Sequence, residues 1–218
     1  MSVNIEAYKE IREKLGSVTL VAVSKTKPNE DIQALYELGQ RDFGENYVQE
    51  LVDKQAVLPN DIRWHFIGHL QSNKVKYIAP FVHLIHGVDS LKLLKEINKQ
   101  AAKFGRVIDC LLQVHIAQEE TKFGMDEKEL EETFFSTGDL SNVRVCGLMG
   151  MASFSEDMDK VRAEFRNLRM LFDKAREWAV VGNEFAILSM GMSGDYTMAV
   201  EEGSTMVRIG SLLFGARR

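Results

Sequence analysis

The sequence contains little of what defines several large classes of proteins. Its 218 residues include two cysteines and three prolines. Two cysteines cannot form the disulfide framework of a small secreted domain, and Cys110 and Cys146 both stand in apolar runs, so we expect buried thiols in a reducing compartment. No apolar run is long enough to span a membrane, and the amino terminus does not have the form of a signal peptide. We therefore expect a soluble, cytoplasmic protein with no membrane partner.

A block of basic residues is also missing. The chain has 27 Lys and Arg residues against 32 Asp and Glu residues, and the two signs are interspersed. Because nucleic-acid binding depends on a basic patch or stripe, we expect no nucleic-acid partner. There is no low-complexity tract, internal repeat or linker, so residues 1–218 are predicted to form a single domain.

Eight short segments, most of them apolar, alternate with segments of helical periodicity. They predict strands at residues 19–23, 41–46, 62–68, 82–88, 107–116, 143–149, 184–189 and 206–210. Most of these runs are continuous in hydrophobicity, which is typical of parallel strands that are buried on both faces. The pattern favours an α/β fold, a single-domain TIM-type (β/α)8 barrel.

An additional helix precedes the first strand. Ile5, Tyr8, Ile11 and Leu15 form one apolar stripe at helical spacing. Since too little chain follows the eighth strand for a full helix, we expect this N-terminal helix to close the barrel. An open doubly wound sheet is the alternative, although no dinucleotide-binding fingerprint follows the first strand.

The segment after the first strand is the most informative in the chain. Pro28 ends that strand, which leaves Lys25 near its carboxyl end, where TIM barrels carry their chemistry. A lysine that is partly buried there has a lowered pKa and can attack an aldehyde. The alternative is a lysine that reaches from the end of a strand into solvent.

The loops after the last two strands have the composition of anion sites. Ser193-Gly194-Asp195 opens a helix, so backbone N–H groups and the Ser193 hydroxyl are available as donors. Gly210-Ser211 follows the last strand, and a glycine lets backbone amides approach a ligand closely. The two together resemble the phosphate site that barrels often build from their last two loops. Alternatively, they are an ordinary helix cap and a turn near the end of the chain.

Arg208 interrupts the apolar run of the eighth strand. A buried arginine needs an acceptor, which Asp195, Glu45 or a ligand atom could provide. His65 and His69 are four residues apart, but the strand pattern breaks helical geometry, so we predict no metal site. Lys27 and Lys122 lie near the mouth of the predicted barrel and are interpreted as surface charge.

Five motifs, taken in chain order, resemble one family. They are Val23-Ser24-Lys25-Thr26-Lys27, Phe43-Gly44-Glu45-Asn46-Tyr47, Trp64-His65-Phe66-Ile67-Gly68-His69-Leu70-Gln71, Gly191-Met192-Ser193-Gly194-Asp195 and Val207-Arg208-Ile209-Gly210. The family is that of the pyridoxal phosphate homeostasis proteins, which are relatives of the amino-terminal domain of alanine racemase. The resemblance extends from Lys25 to Gly215, and five motifs in one order make it specific.

The resemblance implies that pyridoxal 5'-phosphate is the cofactor and that it is held as an aldimine on Lys25. It also implies that the phosphate lies at the Ser193 and Gly210 loops and that Arg208 faces the pyridine nitrogen. Asn46 and Met149 are expected to line the pocket. The predicted cofactor-binding residues are Lys25, Asn46, Met149, Ser193, Gly194, Arg208, Gly210 and Ser211.

Three functions are compatible with this resemblance and these residues. The first is a non-catalytic carrier or buffer in vitamin B6 homeostasis, a monomer that passes the cofactor to apo-enzymes by transient contact. The second is a racemase-like enzyme of low activity that acts on amino acids, and the third is a barrel that binds another phosphorylated metabolite without a covalent bond. Alanine racemase adds a second domain and a tyrosine base, for which a chain ending at Arg218 has no room, so we expect a carrier and not an enzyme.

Overall fold

Eight parallel strands form a closed barrel in the computed structural model, which describes residues 3–117, 123–178 and 185–215. The strands are β1 (Thr19–Val23), β2 (Asp42–Glu45), β3 (Arg63–Phe66), β4 (Leu84–Val88), β5 (Ile108–Gln113), β6 (Val143–Met149), β7 (Ile187–Ser189) and β8 (Met206–Ile209). Each strand pairs with the next, and β8 pairs with β1, with Thr19 opposite Met206. The predicted (β/α)8 barrel is confirmed.

Helices cover the outside of the barrel. They are α1 (Ile5–Leu15), α2 (Asn29–Glu37), α3 (Val48–Gln55), α4 (Val75–Ile78), α5 (Leu91–Lys103), α6 (Glu127–Phe135), α7 (Met158–Trp178), α8 (Tyr196–Glu201) and α9 (Ser211–Phe214). A 3-10 turn, Ser72–Lys74, leads into α4. Within the described residues, none of the helices has both the length and the apolar character needed to cross a membrane.

The closing segments of the chain differ in one respect from the prediction. The sequence predicted α1 as the element that closes the barrel and gave no helix after β8. The structure has a short helix there, α9, and the Asn4 backbone N–H donates to the Leu213 carbonyl 2.8 Å away, which joins α1 to α9. The two helices therefore close the barrel together, because four residues after Gly210 are enough for one helical turn.

The apolar core has two parts. The larger part lies between the strands and the helices, and Phe43, Phe66 and Phe165 are among its fully buried side chains. The smaller part consists of side chains that pack together inside the barrel: Val21, Leu84, Leu111, Cys146, Met149 and Met206. Both cysteines are buried free thiols, as predicted. Burial raises the pKa of the Cys110 thiol well above its usual value, so this thiol is protonated.

Candidate functional site

A cavity of about 500 Å³ opens at the carboxyl ends of the strands. It is bordered by seven of the eight residues predicted from the sequence: Lys25, Asn46, Ser193, Gly194, Arg208, Gly210 and Ser211. They come from loops that follow β1, β2 and β7 and from β8 and the turn after it. Parallel strands of a barrel end at the same face, which explains how residues 25 and 211 meet at one site.

Met149 is the predicted residue that does not border this cavity. Its side chain is buried in the apolar cluster inside the barrel, at the last position of β6. Met151 takes the corresponding place at the mouth, because it lies two residues beyond the end of the strand. In the structure, therefore, Met151 and not Met149 lines this cavity.

The loop that carries Lys25 has a fixed backbone. The Ser24 N–H donates to the Gly44 carbonyl, and the Lys27 N–H donates back to the Ser24 carbonyl, both at 3.0 Å. Thr26 has φ of +63°, a left-handed conformation that is unfavourable for a β-branched residue. Its N–H donates to Glu50 Oε1 at 2.5 Å, which holds this conformation in place. Such strain persists only where the surroundings impose it, and here it lies next to Lys25.

Lys27 also differs from its interpretation as surface charge. Its Nζ donates to the carbonyl oxygens of Phe214 and Gly215, at 2.8 Å and 3.2 Å, and it borders the cavity. A lysine near the carboxyl end of a helix stabilises the last carbonyl groups, so Lys27 joins the Lys25 loop to the end of α9. Lys122, interpreted in the same way, lies outside the described residues.

A buried group of charges lies beneath the Lys25 loop. Glu45 Oε1 accepts hydrogen bonds from Ser24 Oγ at 2.6 Å and from Lys54 Nζ at 2.8 Å. Lys54 Nζ also donates to the Ser24 carbonyl at 2.8 Å and to Glu50 Oε1 at 2.7 Å. The side chain of Glu45 is fully buried, and burial raises its pKa although Lys54 opposes that shift. Through Lys54, therefore, α3 fixes the end of β1 from which Lys25 projects.

The two loops of the predicted phosphate site are in direct contact. The Gly210 N–H donates to Ser193 Oγ at 3.2 Å, and Asp195 Oδ1 accepts from the Met192 N–H at 2.6 Å. A side chain at Gly210 would place its Cβ 3.2 Å from the Val23 carbonyl oxygen, so glycine allows the last loop to lie close to β1. The backbone N–H groups of Gly194 and Ser211 have no hydrogen-bond partner among the described residues, and both residues border the cavity.

Arg208 is buried, with 4% of its surface exposed, and it reaches the cavity from β8. Its Nη1 donates to the Ser189 carbonyl at 2.9 Å and to Ser189 Oγ at 2.6 Å, and its Nη2 donates to the Gly150 carbonyl at 3.1 Å. The sequence had named Asp195 and Glu45 as candidate acceptors. The structure supplies Ser189 and Gly150, while the charge of Asp195 partly offsets the burial that lowers the Arg208 pKa to about 10.

The histidines do not form the pair that their spacing raised as a possibility. His69 stacks on Phe123 with ring centroids 4.2 Å apart, and its Nδ1 lies 3.2 Å from Asp89 Oδ2. Among the described residues, a different trio, Asp42, His65 and His83, brings three potential metal ligands together. Both carboxylate oxygens of Asp42 already accept hydrogen bonds from Arg63, at 2.7 Å and 2.6 Å, so we do not assign a metal there.

Comparison with known proteins gives consistent matches over most of the chain. The family described as "Alanine racemase, N-terminal domain" matches residues 4–218. The pyridoxal phosphate homeostasis protein of Aquifex aeolicus is 47% identical over 201 residues, which cover 91% of this chain and 87% of that protein. The protein of the same name from Escherichia coli K12 is 39% identical over 214 residues, which cover 92% and 86% of the two chains.

Solved structures give the same result. PipY of Synechococcus elongatus, with PLP bound, matches with a TM-score of 0.88 and 37% identity, over 96% of this chain and 99% of that one. Alanine racemase from Bartonella henselae matches with a TM-score of 0.72 and 16% identity, over 96% and 59% of the chains, which shows a shared fold. The chain belongs to the pyridoxal phosphate homeostasis protein family, within the alanine racemase N-terminal domain family.

Proposed function

We propose that this member of the pyridoxal phosphate homeostasis protein family binds pyridoxal 5'-phosphate in the cavity at the mouth of the barrel. In this proposal, Lys25 would hold the cofactor covalently as an aldimine: its Nζ forms a C=N bond to the aldehyde carbon, and the aldehyde oxygen leaves as water. The supporting observation is that a lysine, an arginine and two adjoining loops with available amide donors border one cavity of about 500 Å³.

The donors that border the cavity fit this cofactor. Pyridoxal phosphate has an aldehyde, a phosphate and a pyridine nitrogen, which require an amine, a set of N–H donors and one further donor. Lys25 supplies the amine, and the amides of Gly194 and Ser211 supply N–H donors beside the Ser193 hydroxyl. Arg208 has N–H groups beyond the three hydrogen bonds described above, since a guanidinium carries five.

Two further residues contribute to the same cavity. Asn46 Oδ1 is buried and has no hydrogen-bond partner among the described residues, so it is available to a polar group of the cofactor. Phe154 borders the cavity and is fully exposed, which allows its ring to cover a bound flat molecule. We include Asn46 in the proposed binding set with Lys25, Ser193, Gly194, Arg208, Gly210 and Ser211. Met149 is left out of this set, because Met151 and not Met149 borders the cavity.

The proposed role is that of a non-catalytic carrier. When bound to an enzyme, pyridoxal phosphate serves as an electron sink, and the group that faces its pyridine nitrogen tunes that chemistry. Arg208 is held by Ser189 and Gly150 and remains a donor at any ordinary pH, so it cannot accept a proton from the ring nitrogen. A neutral pyridine ring withdraws electrons less well, which favours storage of the cofactor over turnover of amino acids.

The phosphate part of the proposal predicts a large difference between two vitamers. Pyridoxal, which lacks the phosphate, should bind at least tenfold more weakly than pyridoxal phosphate, or about 1.4 kcal/mol, because it leaves the donors of both loops unpaired. Titration of the purified protein followed by absorbance measures both affinities. Equal affinities would contradict the proposal that the two loops bind the phosphate.

Two variants separate the contributions within that site. Replacing Gly210 with leucine should weaken binding of pyridoxal phosphate more than Ser193→Ala, because the new side chain lacks space beside Val23 and separates the loops. Loss of the Ser193 hydroxyl removes one acceptor of the Gly210 N–H and costs about 1 kcal/mol. If pyridoxal binding stays unchanged in both variants, the defect lies at the phosphate and not in the fold.

The carrier role predicts low activity toward amino acids. Protein loaded with pyridoxal phosphate and incubated with L- or D-alanine should show neither racemisation nor transamination at the rates of ordinary enzymes, which are about 1 per second or faster. Chiral chromatography of the amino acid checks this prediction. Turnover at such rates would favour the alternative, a racemase-like enzyme.

A transfer experiment tests the second half of the carrier proposal. We propose that the protein is a cytoplasmic monomer and that it passes the cofactor to pyridoxal-phosphate-dependent apo-enzymes by transient contact. Activation of an apo-enzyme by the loaded protein should then be faster than release of the cofactor into buffer. Activation at the release rate would indicate a passive buffer.

A further inference from the structure

A continuous chain of hydrogen bonds runs from Arg208 to Asp42. From Arg208 Nη1 it passes to Ser189 Oγ at 2.6 Å, and from there to His86 Nδ1 at 3.1 Å. His86 Nε2 lies 2.9 Å from His65 Nδ1, and His65 Nε2 lies 3.0 Å from Asp42 Oδ1. Ser189, His65 and His86 are each 0–1% exposed. This hydrogen-bond chain thus connects Arg208, a cation that borders the cavity, to Asp42, an anion at the start of β2.

The strands that carry these residues show where the chain runs. His86 lies on β4 and Ser189 on β7, and these strands are separated in the barrel by β5 and β6. A direct contact between their side chains therefore crosses the interior of the barrel. Asp42 is the first residue of β2, whereas Arg208 borders the cavity at the carboxyl ends of the strands, so the hydrogen-bond chain leads from the mouth of the barrel to the start of β2.

Elementary hydrogen-bond chemistry fixes the direction of every bond. Asp42 is an acceptor: burial would raise its pKa, but hydrogen bonds from Arg63 and His65 outweigh burial and hold the pKa well below its usual range. His65 Nε2 therefore carries a hydrogen. Burial lowers the pKa of His86 well below its usual value, so this ring is neutral and has one N–H.

The Ser189 hydroxyl decides between the two remaining arrangements. If His65 were doubly protonated, it would donate to His86 Nε2, and His86 Nδ1 would then donate to Ser189 Oγ, which already accepts from Arg208. The Ser189 hydrogen would then have no acceptor among the described residues, and an unsatisfied buried hydroxyl is costly. With His65 neutral, Ser189 donates to His86 Nδ1 and His86 Nε2 donates to His65 Nδ1. The Ser189 hydroxyl and all four ring nitrogens of the two histidines then have a hydrogen-bond partner.

We propose that Ser189, His86 and His65 are positioning residues for Arg208: they form a one-way hydrogen-bond chain, from Arg208 to Asp42, that fixes where the guanidinium lies and which of its N–H groups face the cavity. The inference rests on the proposed function in one respect, namely that Arg208 faces the pyridine ring of a bound cofactor. The chain itself involves no ligand. It requires both histidines to be neutral with the hydrogen on Nε2.

The tautomers of the two histidines can be measured without any cofactor. Nitrogen-15 NMR correlation spectra of the cofactor-free protein near neutral pH should show His65 and His86 as Nε2–H tautomers. His83, which is exposed and lies near His65, serves as an internal reference for a ring outside the chain. A hydrogen on Nδ1 of His86 would reverse the direction of the bonds and overturn the proposal, whether or not the protein binds pyridoxal phosphate.

A matched pair of serine variants tests the effect on the site. Ser189→Ala breaks the chain next to Arg208. Ser204→Ala also removes a buried hydroxyl, but the single hydrogen of Ser204 has only the carbonyl oxygens of Leu188, Met190 and Met206 as acceptors among the described residues. Ser189→Ala should weaken pyridoxal phosphate binding by about tenfold and shift the absorbance band of the bound cofactor. Ser204→Ala should change neither property.

The possible results separate this inference from the proposed function. A shifted band in Ser189→Ala together with Nε2–H tautomers supports the chain. Unchanged affinity and an unchanged band in a folded Ser189→Ala variant overturn its role in positioning Arg208 while leaving cofactor binding intact. If the parent protein does not bind pyridoxal phosphate, the proposed function fails, and the NMR spectra alone then decide whether the one-way chain exists. Should Ser189→Ala not fold, the tautomers in the parent protein decide the question in the same way.

Discussion

Replacing Lys25 with alanine should abolish covalent retention of pyridoxal phosphate and weaken its binding by roughly 100-fold, or about 2.8 kcal/mol. The variant keeps the donors of Arg208 and of the two phosphate loops, so weak, reversible binding should persist. Affinity falls for two reasons. The bond between Lys25 Nζ and the aldehyde carbon is lost, and the remaining non-covalent contacts must then hold a cofactor that can diffuse away. Absorbance spectra before and after dialysis measure retention and affinity together.

Lys27→Ala is the matched control for that experiment. Lys27 borders the same cavity two residues away, but its Nζ is held by the carbonyls of Phe214 and Gly215. The control variant should therefore retain the cofactor through dialysis. Borohydride reduction and peptide mapping of the parent protein should place the pyridoxyl group on Lys25, and a label found chiefly on Lys27 would contradict the assignment.

Lys54→Met should be among the most destabilising single substitutions in the chain. It leaves the fully buried Glu45 without its cationic partner, and the loss of one member of a buried ion pair costs about 3–5 kcal/mol. Lys174→Met is the control, since Lys174 forms an ion pair of similar length with Glu127 at an exposed position and should change stability little. Urea denaturation of both variants gives the two free energies of unfolding.

The pH dependence of the Lys54→Met variant has a definite sign. Burial raises the pKa of Glu45 in the folded protein above its value in the unfolded chain. At low pH the Glu45 carboxyl is protonated in both the folded and the unfolded state, so its burial does not lower stability. As pH rises above the pKa of Glu45 in the unfolded chain, the free energy needed to keep or charge this carboxyl inside the folded variant grows. The loss of stability relative to the parent protein should thus be larger near pH 7 than near pH 5. Adding Glu45→Gln should recover part of it, and failure to do so would show that other contacts of Lys54 dominate.

The barrel could be predicted from the sequence because its signal is repeated. Eight segments, most of them continuous in hydrophobicity, each predicted a strand, and β1 and β6 have the predicted bounds. Other runs extend past the paired segment: the run at 107–116 continues beyond β5, which ends at Gln113. Apolar residues after a strand end pack under the loops, and hydrophobicity alone does not mark where backbone pairing stops.

The sequence predicted the candidate site residues at the mouth of the barrel, but not the residues inside the barrel that contact them. Lys25, Ser193 and Gly210 stand in loops with distinctive motifs, so both residue chemistry and family resemblance pointed to them. The hydrogen-bond chain behind Arg208 was not predicted, although His65 stands in one of the motifs, because its members lie on three different strands and Ser189 is 103 residues after His86. A histidine within an apolar run, as in Leu84-Ile85-His86-Gly87-Val88, shows only that a buried ring needs partners, and those partners appear when the barrel closes.

The pairing of β1 with β8 has a consequence for the order of events during folding. Lys25 follows the first strand, and Gly210 and Ser211 follow the last, so the two halves of the site meet only when Thr19 comes opposite Met206. Contacts between residues this far apart in sequence slow folding, because the intervening chain loses entropy before they form. A ribosome-bound chain that has not yet emerged through β8 cannot assemble the pocket. Loading of the proposed pocket therefore requires that synthesis has passed β8 and that the ring of strands has closed.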